Sequence, residues 1–396
     1  MPEDVNIQER KRLARMLLSR DRTPEDDSLV PPPMGVKAKA RADIGLQFPI
    51  GLAPVPQPFN TLPSPGNPLP KVDVAVITWT AAERDGMADV LSPGHPGKSW
   101  YRYNRRYAEF YDERIRSGAP SKNGKILGTY MPVEISGKKV LLFKSELHLN
   151  QDGIQDPPHG APGNATLPVK DLFTQIIQDT EASHVLTVGT CGGIQLEHDL
   201  GDVLVTRAAR FRCRDEFKNA PFNNKTYRSN WKMPTGQFSK AEQLMRGFAD
   251  KLIEPIFGPP TKRHRGSFTL DRLYTPSIIH EKGKGANKIP TFHPILSTDF
   301  FEFGTSANAA ELAAIGCGIE MGDAALGLAA EDLGAAAPNW AVIRNISDPQ
   351  INADLTNAPR QLDMQSHWAV WYYETFGYWT SVMSAITTWA VIADLP

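Results

Sequence analysis

The chain has 396 residues, with 43 Lys and Arg against 44 Asp and Glu for a formal net charge of −1, and 41% of its residues are hydrophobic. So even a balance argues against nucleic-acid binding as the main role, and the length is ample for one large α/β domain with an appendage. Three isolated cysteines (Cys191, Cys213, Cys317) make no disulfide framework, which points to a reducing cytoplasm, and no His or Cys cluster has metal-ligand spacing, so neither a metal nor a cofactor is implied.

The amino-terminal stretch lacks a clean apolar core and a small-residue cleavage site, so no signal peptide is expected. Residues 7–20 have helical spacing with several basic positions and read as a solvated arm or subunit-contact helix. Residues 23–70 are dense in proline (PPPMG, APVPQP, LPSPGNPLP) with little periodicity, which favours extended chain lying over the surface. The arm is therefore assigned to residues 1–71 and the compact domain to 72–396.

VDVAVITWTAAERDGMADVL (72–91) reads as a buried strand followed by a helix, and it puts Glu83 in the first helical turn. Taken alone, Glu83 there is a carboxylate complementing the helix dipole. GHPGKS (94–99) resembles the end of a phosphate loop, but its upstream glycine position is Ser92 and no strand leads into it, so it reads as an ordinary loop. SWYRYNRRYAEFY (99–111) interleaves Arg102, Arg105 and Arg106 with tyrosines. It is either an amphipathic helix with arginines in water or, together with Arg84, a clamp for a phosphate on the ligand.

LTVGTCGGIQLEHDLGDVLVT (186–206) reads strand, glycine-rich turn, connection, strand, with Thr190 and Gly192 in the turn. Its glycines allow close backbone approach or positive φ. Residues 207–291 carry the basic runs RFRCRDEFK and TKRHRG, and KGKGANK (282–288) reads as a solvated loop. HPILSTDFFEFG (293–304) precedes a stretch, 307–334, with an Ala-rich helix suited to packing on a sheet.

WAVIRNI (340–346) is a short apolar run that stops at Ser347, Asp348 and Pro349. Proline cannot donate to a sheet ladder, and a carboxyl at the C-terminal lip of a parallel strand lies where open α/β sheets bind ligands. Asp348 is thus either a turn cap or a catalytic acid. The final stretch, 366–395, is long and poor in charge. Glu374, Gly377 and several hydroxyl residues interrupt it, so it reads as a core or subunit-interface helix and no membrane association is expected.

Taken together and in this order, VGTCGGI…GDVLVT, STDFF, IEMG and VIRNISD resemble the purine nucleoside phosphorylase and nucleosidase superfamily, in the style of the methylthioadenosine/S-adenosylhomocysteine nucleosidases and the hexameric-type phosphorylases. The resemblance spans about residues 72–393, with insertions near 85–139 and 207–291. It implies an α/β fold with a phosphorylase-type mixed sheet flanked by helices. It further implies that Asp348 assists departure of a purine at N7 and that Ser347 orients it. Phe301, with Phe300 beside it, would stack on the base, Met321 would lie under the ribose, and Glu83 would position the attacking water. The implied partner is a purine nucleoside or nucleotide, the implied assembly a homo-oligomer.

Two departures from that pattern bear on chemistry. Where relatives carry Glu-Met-Glu, with the second glutamate gripping the ribose diol, this chain has Glu320, Met321, Gly322 and Asp323. Either Glu320 or Asp323 takes over that grip, or the sugar is held differently. The first strand-to-helix loop has no glycine-rich phosphate cradle and only Arg84 as a cation, and Thr187 stands where the phosphorylases have arginine. Water is the favoured nucleophile, and the expected function is hydrolysis of an N-glycosidic bond. A phosphorylase with other phosphate ligands and a catalytically silent purine-nucleotide sensor are the alternatives.

Overall fold

The computed structural model describes residues 44–149, 166–195, 197–249, 275–302, 309–348 and 359–396. The helix expected over 7–20, the first part of the proline-rich arm and the TKRHRG run lie outside these residues. Among the described residues thirteen strands form one mixed sheet: β1 Val55–Pro56, β2 Val74–Thr78, β3 Tyr101–Tyr103, β4 Gly128–Ile135, β5 Lys138–Ser145, β6 His184–Gly193, β7 Val203–Thr206, β8 Ala208–Phe211, β9 Thr226–Arg228, β10 Ile278–His280, β11 Ile295–Ser297, β12 Gly318–Glu320 and β13 Asn339–Asp348. The described α-helices are α1 Ala81–Leu91, α2 Pro120–Gly124, α3 Pro168–Thr180, α4 Phe238–Ala249, α5 Ala309–Ile315, α6 Asp323–Leu333 and α7 Pro359–Ala393. This is the expected α/β class, a mixed sheet flanked by helices.

The centre of the sheet is parallel: β5, β2, β6 and β13 run side by side in the same direction. These strands are nearly all apolar because both of their faces are covered. Alternation along β2 shows the two layers. Val74 and Val76 join a core with α1, α4 and α7, whereas Ala75 and Ile77 join a second core with α3 and α6. β13 is inserted between β6, which it pairs in parallel, and β7, which it pairs antiparallel.

The expected glycine-rich turn is instead strand. β6 runs unbroken to Gly193, and Gly192 and Gly193 pair with β12. None of Gly189, Gly192 and Gly193 has positive φ. Close approach, not turn geometry, explains Gly189: a Cβ there would lie 2.4 Å from Arg344 Nη1 and 2.5 Å from Glu83 Oε1.

Residues 99–111 are also not a helix. They form β3 and one π-turn, Tyr107–Tyr111, because pairing with β4 satisfies the backbone of Tyr101–Tyr103. The aromatic side does pack inward, with Tyr103, Tyr107 and Tyr111 buried. Within the proline-rich arm, residues 44–71 lie against the domain. Phe48 packs on Trp389, whose Nε1 donates to the Leu52 carbonyl at 2.6 Å, and β1 adds to β4.

From Thr380 to Ile392, α7 is buried on every side. Its hydroxyls are accommodated by the helix itself: Ser381, Thr387 and Thr388 donate to the carbonyls of Gly377, Met383 and Ser384. Among the described residues no helix is long and apolar enough to cross a membrane.

Candidate active site

One cavity, about 770 Å³ counted to its open mouth, lies at the C-terminal ends of β2, β6 and β13. The strands deliver its walls for a simple reason: each ends there and hands the chain to a loop or helix whose first residues face inward. From the sequence-based set, Glu83, Thr190, Gly192, Phe300, Phe301, Glu320, Met321, Ser347 and Asp348 all line it. Asp323 is fully buried and is not among the lining residues.

The four arginines considered as a phosphate clamp are elsewhere. Arg84 pairs with Asp85 at 2.6 Å, Arg102 donates to the Gly124 carbonyl, and Arg105 is held by Asp179. Arg106 lies over the Phe110 ring. None of them lines the cavity.

Glu83 is held by the local turn and by the neighbouring strand. Thr80 caps α1 and forms a reciprocal capping box with it: Thr80 Oγ1 accepts from the Glu83 amide, and Glu83 Oε2 accepts from the Thr80 amide at 2.8 Å. The same oxygen accepts from Thr78 Oγ1 and the Trp79 amide, both at 3.0 Å. Oε1 accepts from the amide of Thr190 at 2.7 Å and its hydroxyl at 2.8 Å. Five donors thus converge on one carboxylate, which ties the end of β2 to β6.

Arg344 is the central charge of the site, and the sequence reading passed it over. Its Nε and Nη2 grip Asp323 at 2.9 and 2.5 Å, Nη2 is 3.3 Å from Glu320 Oε2, and Nη1 is 3.8 Å from Glu83 Oε1. The guanidinium also lies 4.5 Å from the centre of the Trp79 ring. Burial works against its charge, but Asp323 and Glu320 outweigh it and push its pKa up. Glu320 accepts from Ser297 Oγ and from the Asp323 amide, at the start of α6. Burial and then the neighbouring Asp323 hold its carboxyl well above the usual carboxylate range. With Glu320 held protonated, Asp323 and Glu83 against one guanidinium leave this end of the cavity net anionic.

Asp348 occupies the other end. On β13 it is four residues from Arg344, beyond a register shift between Ile346 and Asp348. Its Oδ1 accepts from Ser347 Oγ at 2.7 Å. Burial raises its pKa from 3.8 to about 7, against the opposing effect of that hydrogen bond. Tyr373 of α7 closes the space near both ends: its hydroxyl donates to Thr80 Oγ1 at 2.7 Å, and its pKa is raised by burial and then by the Glu83 and, further down, Asp348 carboxylates. His148 is held neutral, its pKa lowered by burial and then by Lys144 and Arg344.

Trp79, His148, Arg344 and Tyr373 are among the lining residues that the sequence did not single out. Arg344 carried a usable signal, since a guanidinium inside an all-apolar strand must have buried partners. His148 and Tyr373 carried none, because each arrives through long-range packing.

No family model matches the chain, and no curated protein does. Among solved structures, 5′-methylthioadenosine/S-adenosylhomocysteine nucleosidase from Neisseria meningitidis in complex with methylthio-immucillin-A is similar at 14% identity and a TM-score of 0.43, over 81% of this chain and 99% of that one. Futalosine hydrolase of Helicobacter pylori is similar at 11% identity and a TM-score of 0.42, over 81% of this chain and 97% of that one. S-adenosylhomocysteine nucleosidase from Streptococcus pyogenes in complex with 5-methylthiotubericidin follows at 13%, with 83% and 99% covered and a TM-score of 0.43. These structural neighbours are nucleosidases and a hydrolase, and likeness at this level assigns no role to any residue here.

Proposed function

We propose that this protein is an N-glycoside hydrolase that releases a purine base from a nucleoside or nucleotide. The observation that carries this reading is one cavity with a carboxyl raised to about 7 at one end and a net-anionic cluster at the other. Such a pair of environments suits two roles, an acid for the leaving group and an anionic surface for developing positive charge.

In the proposed reaction the C1′–N bond breaks with its electron pair going to the base. Asp348 gives its proton to the purine at N7, and Phe300 and Phe301 supply apolar ring surface for the base. The sugar becomes cationic next to Glu83. Water adds at C1′ and releases one proton, which restores Asp348. With five donors already on it, Glu83 is poorly suited to abstract a proton. Its better role is to stabilise the cationic sugar by its charge, so the water loses its proton only once it is bonded to carbon.

The same charge balance favours water over phosphate. Arg344 is already committed to Asp323 and Glu320, His148 is neutral, and Glu83 and Glu302 line the wall. A phosphate dianion needs donors and positive charge that this wall does not offer. The test is base release from adenosine, inosine, guanosine, methylthioadenosine, AMP and ATP, followed by chromatography with and without phosphate. Free base without phosphate supports hydrolysis, and strict phosphate dependence refutes it. No base from any of them would favour the binding-module alternative.

A further inference from the structure

We propose that the Tyr373 phenol oxygen holds the attacking water, as a hydrogen-bond acceptor at the Glu83 end of the cavity. The proposal rests on the N-glycosidase reading above and adds to it the group that aims the nucleophile.

Tyr373 stands on α7 and Thr80 caps α1, and both line the cavity. The Tyr373 hydroxyl donates to Thr80 Oγ1 at 2.7 Å, and the same oxygen accepts from the Glu83 amide at 3.2 Å. Further along, the two helices touch closely. A Cβ on Gly86 would lie 3.0 Å from the Ser381 carbonyl carbon, and the Tyr378 hydroxyl donates to Asp89 Oδ2 at 2.6 Å. The helix that carries Tyr373 therefore cannot slide along α1, and the phenol proton points at Thr80.

A phenol has one proton to give and an oxygen that also accepts. Thr80 Oγ1 takes the proton, so toward the cavity the half-buried Tyr373 offers an acceptor. Burial and then the Glu83 carboxylate keep the phenol protonated and neutral. A neutral acceptor suits a water that must turn a lone pair to C1′: one O–H goes to Tyr373 and the lone pair stays free for carbon. A protonated phenol is no base. It orients the water, whose proton leaves only after the C–O bond has formed, as in the reaction above.

The position fits that task. In the proposed reaction the base leaves toward Asp348, and the water enters across C1′ from it. A single hydroxyl, that of Thr80, joins Tyr373 to Glu83, the carboxylate beside which the sugar becomes cationic. With five donors on it, Glu83 has little capacity left for a water, and the phenol oxygen next to it takes that part.

The test is nucleophile partition in water–methanol mixtures, on the full chain with the panel nucleoside that turns over fastest. Methanol adds at C1′ as water does, its proton restores Asp348, and the product is a methyl glycoside whose share of released sugar is read by chromatography. Tyr373→Phe removes the acceptor and turns an apolar wall to the methyl group. We expect the methyl glycoside share to rise at least about threefold over the parent, with kcat down about tenfold to a hundredfold and KM within about twofold. The share does not depend on how much of the variant is folded, so an unchanged share overturns the proposal whatever happens to kcat. Tyr378→Phe removes a comparable bond between α7 and α1 outside the cavity and should leave share and kcat as in the parent. An equal rise there would trace the effect to helix packing and overturn the proposal as well. No base release from the parent would remove the hydrolase reading and this proposal with it, whereas base release with an unchanged share removes this proposal alone.

Discussion

Replacing Asp348 by Asn separates its two effects on the protein. Asn keeps the shape and can still accept from Ser347 Oγ, but it cannot ionise and cannot deliver a proton. A carboxyl whose folded pKa is raised stabilises the native state least at high pH: the native form binds more protons than the unfolded one, and stability falls as pH rises. With an unfolded value of about 3.9 and a folded value of about 7, the native state is penalised by about 1.5 kcal/mol at pH 5 and about 4 kcal/mol at pH 8. The Asn protein escapes this penalty, so its stability advantage over the parent should widen by about 2.5 kcal/mol between those pH values. Urea unfolding of both proteins at pH 5 and pH 8 reads the difference directly, because the other titrating groups are common to both. In the same variant kcat should fall by about 10² to 10⁴, and the fall in parental activity above pH 7 should disappear. Parallel stability profiles would mean that Asp348 ionises like an exposed carboxyl, and the argument for it as the acid would collapse.

Arg344→Met should destabilise the fold by about 3 to 5 kcal/mol in urea, since Asp323 would be left buried without its partner. Gly189→Ala should cost about 1 to 3 kcal/mol and at least tenfold in kcat, because its methyl would enter the Glu83 and Arg344 contact; unfolding and initial-rate measurements check both. Glu83→Gln turns an acceptor-only group into one with an NH₂ facing N–H and O–H donors, and a drop in kcat of about 10² with a lowered unfolding midpoint is expected. Base release should be independent of added phosphate, as initial rates across a phosphate titration would show.

How far the sequence disclosed this site depended on what each residue answers to. β2, β7 and β13 were visible as apolar runs because strands buried on both faces need them, and Asp348 was visible because the run ends abruptly in front of proline. Glu83 was legible through its place in the first helical turn after a buried strand. The strand character of Gly189 to Gly193 was hidden, since glycine suggests a turn locally while pairing with β13 and β12 decides the outcome. The tyrosine and arginine run at 99–111 misled in the same way: its spacing suits a helix, but β4 offered an edge. Nothing local shows that Trp79 fills the room beside Gly322, or that Tyr373, nearly 300 positions later, bonds to Thr80.

The place of β13 in the sheet also bears on how the chain is made. It is the last described strand in sequence, yet it sits between β6 and β7, which precede it by well over a hundred residues. Until residues 339–348 leave the ribosome, the facing edges of β6 and β7 have no β13 to pair with, and unpaired edges invite association with other chains. Closing such distant pairings is slow. Chains cut short before residue 339 should therefore aggregate and should lack Arg344, Asp348 and Tyr373 together, so a stalled or clipped product would carry no fragment of the activity.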